Sequence, residues 1–411
     1  MNFAPYRQVL RLPGLGVLML VGFLARVPAT AVGMVITLHV VTALDLGYAE
    51  AGLAGAVGMA GAGVGSPLAG RLIDRIGSRP VILVTTVAQA AYWIVAPSLG
   101  YEALVVCAFL SGMLSVPVFG LMRQFLAAMV PADKRRTAFA LDSMAVEVSF
   151  MLGPALAVAG VTGLGSDITM YALAAGMVAS GASLFLLNPP ITSAEEQAEA
   201  AGSVPRRQWL TKRMVVLLGV TAATTFVLAA TELSVVAVLR NDGATAWTGL
   251  VIAVWCGYSV VGGFIFGGLR RGPSTLQLIG ALGAFTIPIG LVGGDWFWLM
   301  LALIPAGLLC APSLTASVET VSAWVPAGAR GEAMGLHGTA LTVGVAAGAP
   351  VAGAVIDAFG AAWGFALGGG VTILLVLAAV PFWPRTPVAR PVVEPAEPVA
   401  RNEVESVPAA V

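Results

Sequence analysis

Twelve long apolar stretches decide which folds are open to this chain. A helix that crosses a bilayer needs about 20 predominantly apolar residues, and twelve segments of the 411-residue sequence meet that requirement. They lie over residues 14–42, 48–70, 80–97, 102–128, 136–161, 168–187, 213–238, 247–268, 275–293, 296–318, 332–356 and 361–383. The sequence therefore predicts an all-α membrane protein with twelve transmembrane helices.

The composition agrees with this prediction and excludes other classes of protein. Hydrophobic residues make up 58% of the chain and charged residues 10%, whereas a soluble domain carries about 25% charged residues. A net charge of zero argues against a nucleic-acid partner. The two histidines and three cysteines are widely separated, so they indicate neither a disulfide framework nor a metal site. We expect no metal and no cofactor.

The basic residues predict an orientation in the membrane. With the N-terminus placed in the cytoplasm, 18 of the 21 lysines and arginines fall on the inner side, and Arg240 alone falls on the outer side. Arg26 and Arg123 lie within predicted helices. We therefore expect a multi-pass protein of the bacterial inner membrane with both termini in the cytoplasm.

The polar segments divide the chain into two groups of six helices. We expect bundles over residues 1–190 and 213–384, a cytoplasmic loop over 191–212, and a disordered cytoplasmic tail over 385–411. The segment that enters the fifth helix, VPADKR, has a counterpart, VPAGAR, 195 residues later at the entry to the eleventh. Duplicated six-helix halves are typical of secondary transporters.

The loop between the second and third helices carries a recognisable motif. It reads GRLIDRIGSRP over residues 70–80. This resembles the signature loop of the major facilitator superfamily, G-x-L-x-D-R-x-G-R-R/K. The matching residues are Gly70, Leu72, Asp74, Arg75, Gly77 and Arg79. The resemblance implies two pseudo-symmetric six-helix bundles around a central cavity, with this loop latching the halves together when the cavity faces outward.

Asp74 has a physical role that can be expected without the family. A carboxylate at this place can accept hydrogen bonds from the N-terminus of a neighbouring helix. The family's usual acidic partner near the inner end of the fourth helix is absent, and Asp133 is the candidate substitute.

A second motif lies in the fifth helix. Residues 149–157, SFMLGPALA, resemble the drug–proton antiporter motif G-x-x-x-G-P-x-x-G, with Ser and Ala in place of two glycines. The resemblance favours efflux over uptake. Gly153 and Pro154, with Pro350 in the eleventh helix, predict helix breaks that act as hinges, because proline removes a backbone donor. The alternative is a packing kink with no functional role.

Ionisable residues within the bilayer are candidate coupling sites, because each costs about 2.5–3.5 kcal/mol to insert. Arg26 and Glu147 lie at similar depths, which predicts an ion pair between the first and fifth helices. Arg123 in the fourth helix is placed to reach Glu147 or Asp142. For Glu147 two readings stay open, a carboxylate that couples transport to protons and a structural ion pair.

The second six helices carry fewer such groups. Glu232 is expected in the outer third of the seventh helix. There it either binds substrate or a proton, or is a solvated residue close to the outer interface. Glu319 and His337 are expected near the wet inner mouth of the cavity, where the repeat offset relates them to Gln124 and Asp142. A Gly61–Gly65 pair predicts close contact of the second helix with the eleventh.

These features predict a monomeric secondary transporter rather than an enzyme. The first expectation is proton-coupled efflux of a small amphipathic or lipophilic molecule by alternating access, with the proton gradient as energy source. The partners are then a small-molecule substrate, protons and the lipid bilayer. The alternatives are an uptake permease for a small nutrient and, from another class, a multi-span membrane sensor or enzyme. An enzyme is disfavoured because the two histidines are far apart, and a sensor because no loop is long enough for a soluble domain.

Overall fold

The computed structural model describes residues 4–192, 205–244, 247–269, 272–292 and 295–383, and this part of the chain consists of helices joined by turns and loops, without strands. The first eight helices are α1 (Ala4–Leu10), α2 (Leu15–Thr42), α3 (Tyr48–Ile76), α4 (Ser78–Val95), α5 (Tyr101–Met113), α6 (Val118–Met129), α7 (Arg135–Leu164) and α8 (Ser166–Leu187). The remaining helices are α9 (Arg206–Trp209), α10 (Lys212–Asn241), α11 (Thr248–Gly267), α12 (Thr275–Thr286), α13 (Trp296–Ala302), α14 (Ile304–Trp324), α15 (Arg330–Phe359) and α16 (Ala361–Ala379).

Local sequence explains where several helices begin. Ser274 and Gln277 form a capping box at the start of α12, in which each side chain binds the other's backbone N–H. Thr211 caps α10 by accepting from the Met214 N–H, and Asp295 caps α13 by accepting from the Phe297 N–H. These caps satisfy N–H groups that a helix start otherwise leaves unpaired.

Most of the predicted membrane crossings are present at full length. Within the described residues, 11 helices are long and apolar enough to cross a bilayer, and a shorter apolar segment, Thr275–Leu291, corresponds to the predicted ninth crossing. The fourth crossing is interrupted between α5 and α6, and the tenth is made of α13 and α14. The all-α fold with twelve crossings is therefore confirmed.

The helices pack as two groups with the same internal pattern. In the first group α2 packs on α7 and α8, α3 on α5, and α4 on α8. In the second group α10 packs on α15 and α16, α11 on α14, and α12 on α16. The predicted bundle boundaries stay a prediction, because residues 193–204 of the central loop and the whole tail from 385 lie outside the described residues.

The internal repeat extends to individual hydrogen bonds, since equivalent residues of the two groups form equivalent contacts. The Thr30 hydroxyl of α2 donates to the Ser149 carbonyl of α7 at 2.8 Å. Thr225, 195 residues later, donates to the Leu341 carbonyl of α15, also at 2.8 Å. In both groups a glycine lets the helices approach, since a Cβ on Gly153 would lie 2.1 Å from Thr30 Oγ1 and one on Gly348 would lie 2.6 Å from the Phe226 carbonyl oxygen.

Two expectations about helix irregularities need correction. Neither α7 nor α15 is interrupted at Pro154 or Pro350, because each helix continues through its proline. The glycines beside these prolines serve close packing, and a hinge movement there stays a prediction. The chain is instead interrupted at residues 114–117, where Pro117 precedes α6.

The glycine pair of α3 has a different neighbour from the one predicted. A Cβ on Gly61 would lie 2.1 Å from the Phe109 carbonyl oxygen, and one on Gly65 would lie 2.0 Å from the Met113 carbonyl oxygen. Both carbonyls belong to α5 in the same group of helices. The predicted contact of these two glycines with the eleventh crossing is therefore wrong, and α3 meets α15 through other residues.

The two groups contact each other at one end of the molecule. We call this the closed end; it contains the ends of α3 and α11 and the starts of α7 and α15. Contacts between the groups extend from there to mid-height, where the Thr339 hydroxyl of α15 donates to the Gly63 carbonyl of α3 at 2.7 Å. At the opposite end of the described residues, no hydrogen bond, ion pair or ring contact joins the groups.

Candidate functional site

A latch at the closed end holds α3 of the first group against the start of α15 in the second. Asp74 Oδ1 accepts from the Gly331 N–H at 2.9 Å, and Asp74 Oδ2 accepts from the Glu332 N–H at 2.8 Å. The carboxylate therefore caps the positive end of α15 across the interface, which is the contact expected for Asp74. Gln124 also donates to Asp74 Oδ1, at 3.0 Å. Asp133, the candidate acidic partner, is exposed, and its role stays a prediction.

The other residues of the signature loop have separate tasks. A Cβ on Gly70 would lie 2.2 Å from the Gly331 carbonyl oxygen, so glycine is required for the close approach. Gly77 has a φ of 86° between α3 and α4, which favours glycine on conformational grounds alone. Arg79 donates to the Phe185 carbonyl of α8 at 3.2 Å, whereas Arg75 is exposed. The basic residues thus lie outside the latch itself.

A second set of contacts closes the same end between α7 and the α11–α14 pair. Arg136 forms a two-pronged ion pair with Glu319, with nitrogen–oxygen distances of 2.9 and 3.2 Å. The neighbouring Thr137 hydroxyl donates to the Gly267 carbonyl at 2.6 Å. Glu319 is therefore part of an interface contact, and Arg136, which the sequence marked only as a residue of the inner side, is its partner.

Arg26 and Asp142 form a buried ion pair in the first group, and this corrects the predicted Arg26–Glu147 pair. Arg26 Nη2 donates to Asp142 Oδ1 at 2.6 Å, and Arg123 Nε lies 3.8 Å from Asp142 Oδ2. All three side chains are buried. Asp142 and Glu147 are five residues apart, which places them about 140° apart around α7. The two carboxylates therefore face different neighbours.

His337 connects this cluster to the second group. Arg123 Nη1 donates to His337 Nδ1 at 3.2 Å, and His337 Nε2 lies 2.9 Å from Ser317 Oγ on α14. A ring nitrogen that accepts from arginine carries no proton, so the proton of a neutral His337 is on Nε2. His337 is fully buried, contrary to the wet position expected from its place near a helix start.

Glu147 faces α11 of the second group. Its Oε1 accepts a hydrogen bond of 2.9 Å from the Ser259 hydroxyl. No basic side chain of the described residues contacts it. Glu147 lies twelve residues into α7, about 18 Å along the helix axis. It is thus a carboxyl at mid-height whose one polar partner belongs to the opposite group.

Glu232 lies on the same side of the molecule as Glu147. The Cys256 thiol of α11 is within electrostatic range of both carboxyl groups, and Cys310 of α14 is within range of Glu147. Glu232 itself is exposed. Cys256 is thus within electrostatic range of one carboxyl from each group of helices.

Comparison with known proteins identifies the family. The sequence profile of the Major Facilitator Superfamily matches residues 18–293 and 249–409. The chain belongs to this superfamily. It is therefore a multi-pass membrane protein and a secondary transporter, a class of protein that is distinct from enzymes. No curated protein matches the sequence.

Solved structures of the superfamily share the fold. The human organic anion transporter MFSD10 (TETRAN) superposes with a TM-score of 0.72 at 17% identity, over 91% of this chain and 99% of that one. The proton:xylose symporter XylE gives 0.69 at 17% identity, over 89% and 95%. A bacterial homologue of ferroportin in an outward-facing state gives 0.68 at 14% identity, over 88% and 96%. These identities support the fold alone.

The sequence alone did not identify several residues that form contacts in the candidate site. Ser259 has no charge and sits in an apolar helix, so nothing in its local sequence marks it. The roles of Gln124 and Arg136 follow from the residues they bind, Asp74 and Glu319, and these lie far away in the sequence. Pairings of this kind depend on helix rotation, which the sequence leaves open.

Proposed function

We propose that this superfamily member is a proton-coupled exporter of small amphipathic molecules that works by alternating access. The observation that carries the proposal is Glu147, a mid-height carboxyl whose partner is a hydroxyl of the opposite group. A carboxyl without a basic partner can exchange a proton, and its environment changes when the groups separate. Asp142 forms ion pairs with two buried guanidinium groups of its own group of helices, so we assign it a structural role.

The accessible charges favour a positively charged substrate. Arg26 and Arg123 are buried beside Asp142 and are unavailable to a solute in the cleft. Glu147 is partly exposed and Glu232 is exposed. A solute between the groups therefore meets two carboxyl groups, and a lipophilic cation matches this arrangement better than an anion does. The organic anion in the name of the human relative does not transfer at 17% identity.

Reconstituted protein tests the proposal with ethidium, a lipophilic cation, as the probe. An imposed pH gradient should drive ethidium across the membrane of proteoliposomes. Glu147→Gln should abolish this gradient-driven movement while the exchange of labelled for unlabelled ethidium persists. Gradient-driven movement that is equal in the wild type and in Glu147→Gln would remove Glu147 from the coupling mechanism.

The direction of transport has its own test. The motif at residues 149–157 supports efflux through its resemblance to the antiporter pattern. A strain without the gene should then accumulate ethidium and become sensitive to it. A growth defect on one nutrient, with normal ethidium sensitivity, would instead favour the uptake permease.

A further inference from the structure

Ser259 of α11 forms two hydrogen bonds that join three helices. Its hydroxyl oxygen accepts from the Ala311 N–H of α14 at 3.1 Å, and the hydroxyl donates to Glu147 Oε1 of α7 at 2.9 Å. Ser259 is only 2% exposed. The side chain is thus fixed from one side by its own group of helices and reaches across the interface on the other.

The local packing of α11 and α14 explains this geometry. Pro312 has no N–H, so the Leu308 carbonyl lacks its usual helical partner. A Cβ on Gly262 would lie 1.9 Å from that carbonyl oxygen, which shows how closely α11 approaches α14 here. The same approach brings Ser259, one turn earlier, to the Ala311 N–H. The position of the hydroxyl is therefore set by backbone groups and is independent of the first group of helices.

The count of donors then fixes the direction of the bond to Glu147. A serine hydroxyl has one hydrogen to donate. The backbone N–H of Ala311 can only donate, so the Ser259 hydrogen is left for Glu147. A hydroxyl bonds more strongly to an ionised carboxylate than to a neutral carboxyl group. Within the shut interface this bond therefore offsets part of the cost of burying an ionised Glu147.

We propose that Ser259 is a positioning residue that ties the protonation of Glu147 to the contact between the two groups of helices. The inference rests on the proposed proton-coupling role of Glu147. While the closed end is shut, Ser259 stabilises the ionised carboxylate. Separation of α7 from α11 replaces this donor by water, so the strength with which Glu147 holds its proton changes as the closed end opens.

Few other charged or titratable groups face this carboxyl. Cys256 on α11 and Cys310 on α14 are the nearby thiols, and Glu232 on α10 lies within range of Cys256. On α7 itself, Asp142 faces Arg26 on the other side of the helix. Neither the thiols nor Glu232 supplies a positive charge. Ser259 is therefore the polar contact through which the opposite group can sense the charge of Glu147.

A distance measurement across the closed end as a function of pH tests the inference. Asp133 and Leu269 are exposed residues from opposite groups at this end. Both are replaced by p-acetylphenylalanine for spin labelling, which leaves the three native cysteines unchanged. Pulsed electron paramagnetic resonance then gives the fractions of open and shut molecules. The open fraction of the wild type should change with pH.

Ser259→Ala should increase the ratio of open to shut molecules about tenfold at high pH, where Glu147 is ionised, and by less at low pH, because a hydroxyl binds an ionised carboxylate more strongly than a neutral one. Ser259→Thr, which keeps the hydroxyl, should restore the wild-type profile. Ser234→Ala is the matched control, because this buried serine of α10 donates only to the Ala230 carbonyl of its own helix. Its profile should equal that of the wild type.

The outcomes separate this inference from the proposed function. If Glu147→Gln removes the pH dependence but Ser259→Ala and the wild type share one profile, the role of Ser259 is wrong and that of Glu147 stands. If Glu147→Gln changes neither the pH dependence nor the gradient-driven movement of ethidium, the proposed function is wrong. If Ser259→Ala does not fold, the threonine variant still decides, since a threonine variant that lacks the pH dependence, as Glu147→Gln does, would contradict a role for the hydroxyl.

Discussion

At the scale of single residues, two carboxylates on one helix face opposite directions and meet different chemistry. Asp142 points into the first group, where two buried guanidinium groups neutralise it. Glu147 points to the second group and meets a hydroxyl. Because Asp142 is paired within its own group of helices, it stabilises the packing of that group. Because Glu147 has no such partner, its charge can follow the state of the interface.

Removal of the Asp142 carboxylate should strongly destabilise the protein. Asp142→Ala leaves Arg26 and Arg123 buried without their counter-charge, and breaking a buried pair in this way costs about 3–5 kcal/mol. Unfolding in detergent should show the loss. Asp133→Ala, at an exposed site, is the control and should change stability by less than about 0.5 kcal/mol. Equal stability of the two variants would mean that water reaches the arginine pair.

The sequence predicted which residues are buried charges but not how they pair. Depth along a helix follows from counting residues, so Arg26, Asp142 and Glu147 were all placed in the bilayer. The pairing depends on the rotation of α7 about its axis. Asp142 and Glu147 lie about 140° apart around this helix, so the rotation decides which of them contacts Arg26. Ser259 could not be found at all, since its role comes from its neighbours.

At the scale of helices, glycines decide which backbones touch. Gly61 and Gly65 bring α3 to α5 within the first group, whereas Gly70, further along the same helix, brings α3 to α15 of the second group. The pattern of small residues predicted a close contact for α3, but such a pattern carries no information about the partner. The latch was easier to predict, because its motif includes the carboxylate that caps α15.

Gly70→Ala should open the latch. The added Cβ would lie 2.2 Å from the Gly331 carbonyl oxygen, and overpacking of this kind costs about 1–3 kcal/mol. Hydrogen exchange of the Gly331 and Glu332 amides should become about tenfold faster or more, because both amides bind Asp74 only while the latch is shut. Gly55→Ala on the same helix, with open space around it, should leave the exchange unchanged. Slow exchange in Gly70→Ala would contradict the latch.

Loss of the Arg136–Glu319 pair should affect the latch from a distance. If the closed end opens as one unit, Arg136→Gln should also accelerate exchange of the Gly331 and Glu332 amides, although these belong to another contact. The pair is partly exposed, with 22% and 23% of the side chains accessible, so we expect an effect of about 1 kcal/mol or less. Glu319→Gln should match it, and the double variant should add little. An effect confined to the start of α7 would indicate two independent contacts.

At the scale of the whole molecule, the described contacts between the groups occupy one end and the middle. The fold itself was predictable, because twelve apolar segments, a 195-residue repeat and a signature loop all indicate the same architecture. The state of the molecule was not predictable, since a transporter that alternates between two states has one sequence for both. The latch, the Arg136–Glu319 pair and the Glu147–Ser259 bond together define the shut state of this end.

Alternating access requires the closed end to open in every cycle, so fixing it shut should stop transport. Arg136→Cys combined with Glu319→Cys places one thiol on each group of helices where the native side chains meet. A bifunctional methanethiosulfonate should join the two thiols and abolish ethidium movement in proteoliposomes, and a reducing agent should restore it. Each single variant treated in the same way controls for reaction with native cysteines. Transport that continues at full rate in the cross-linked protein would show that the groups need not separate at this end.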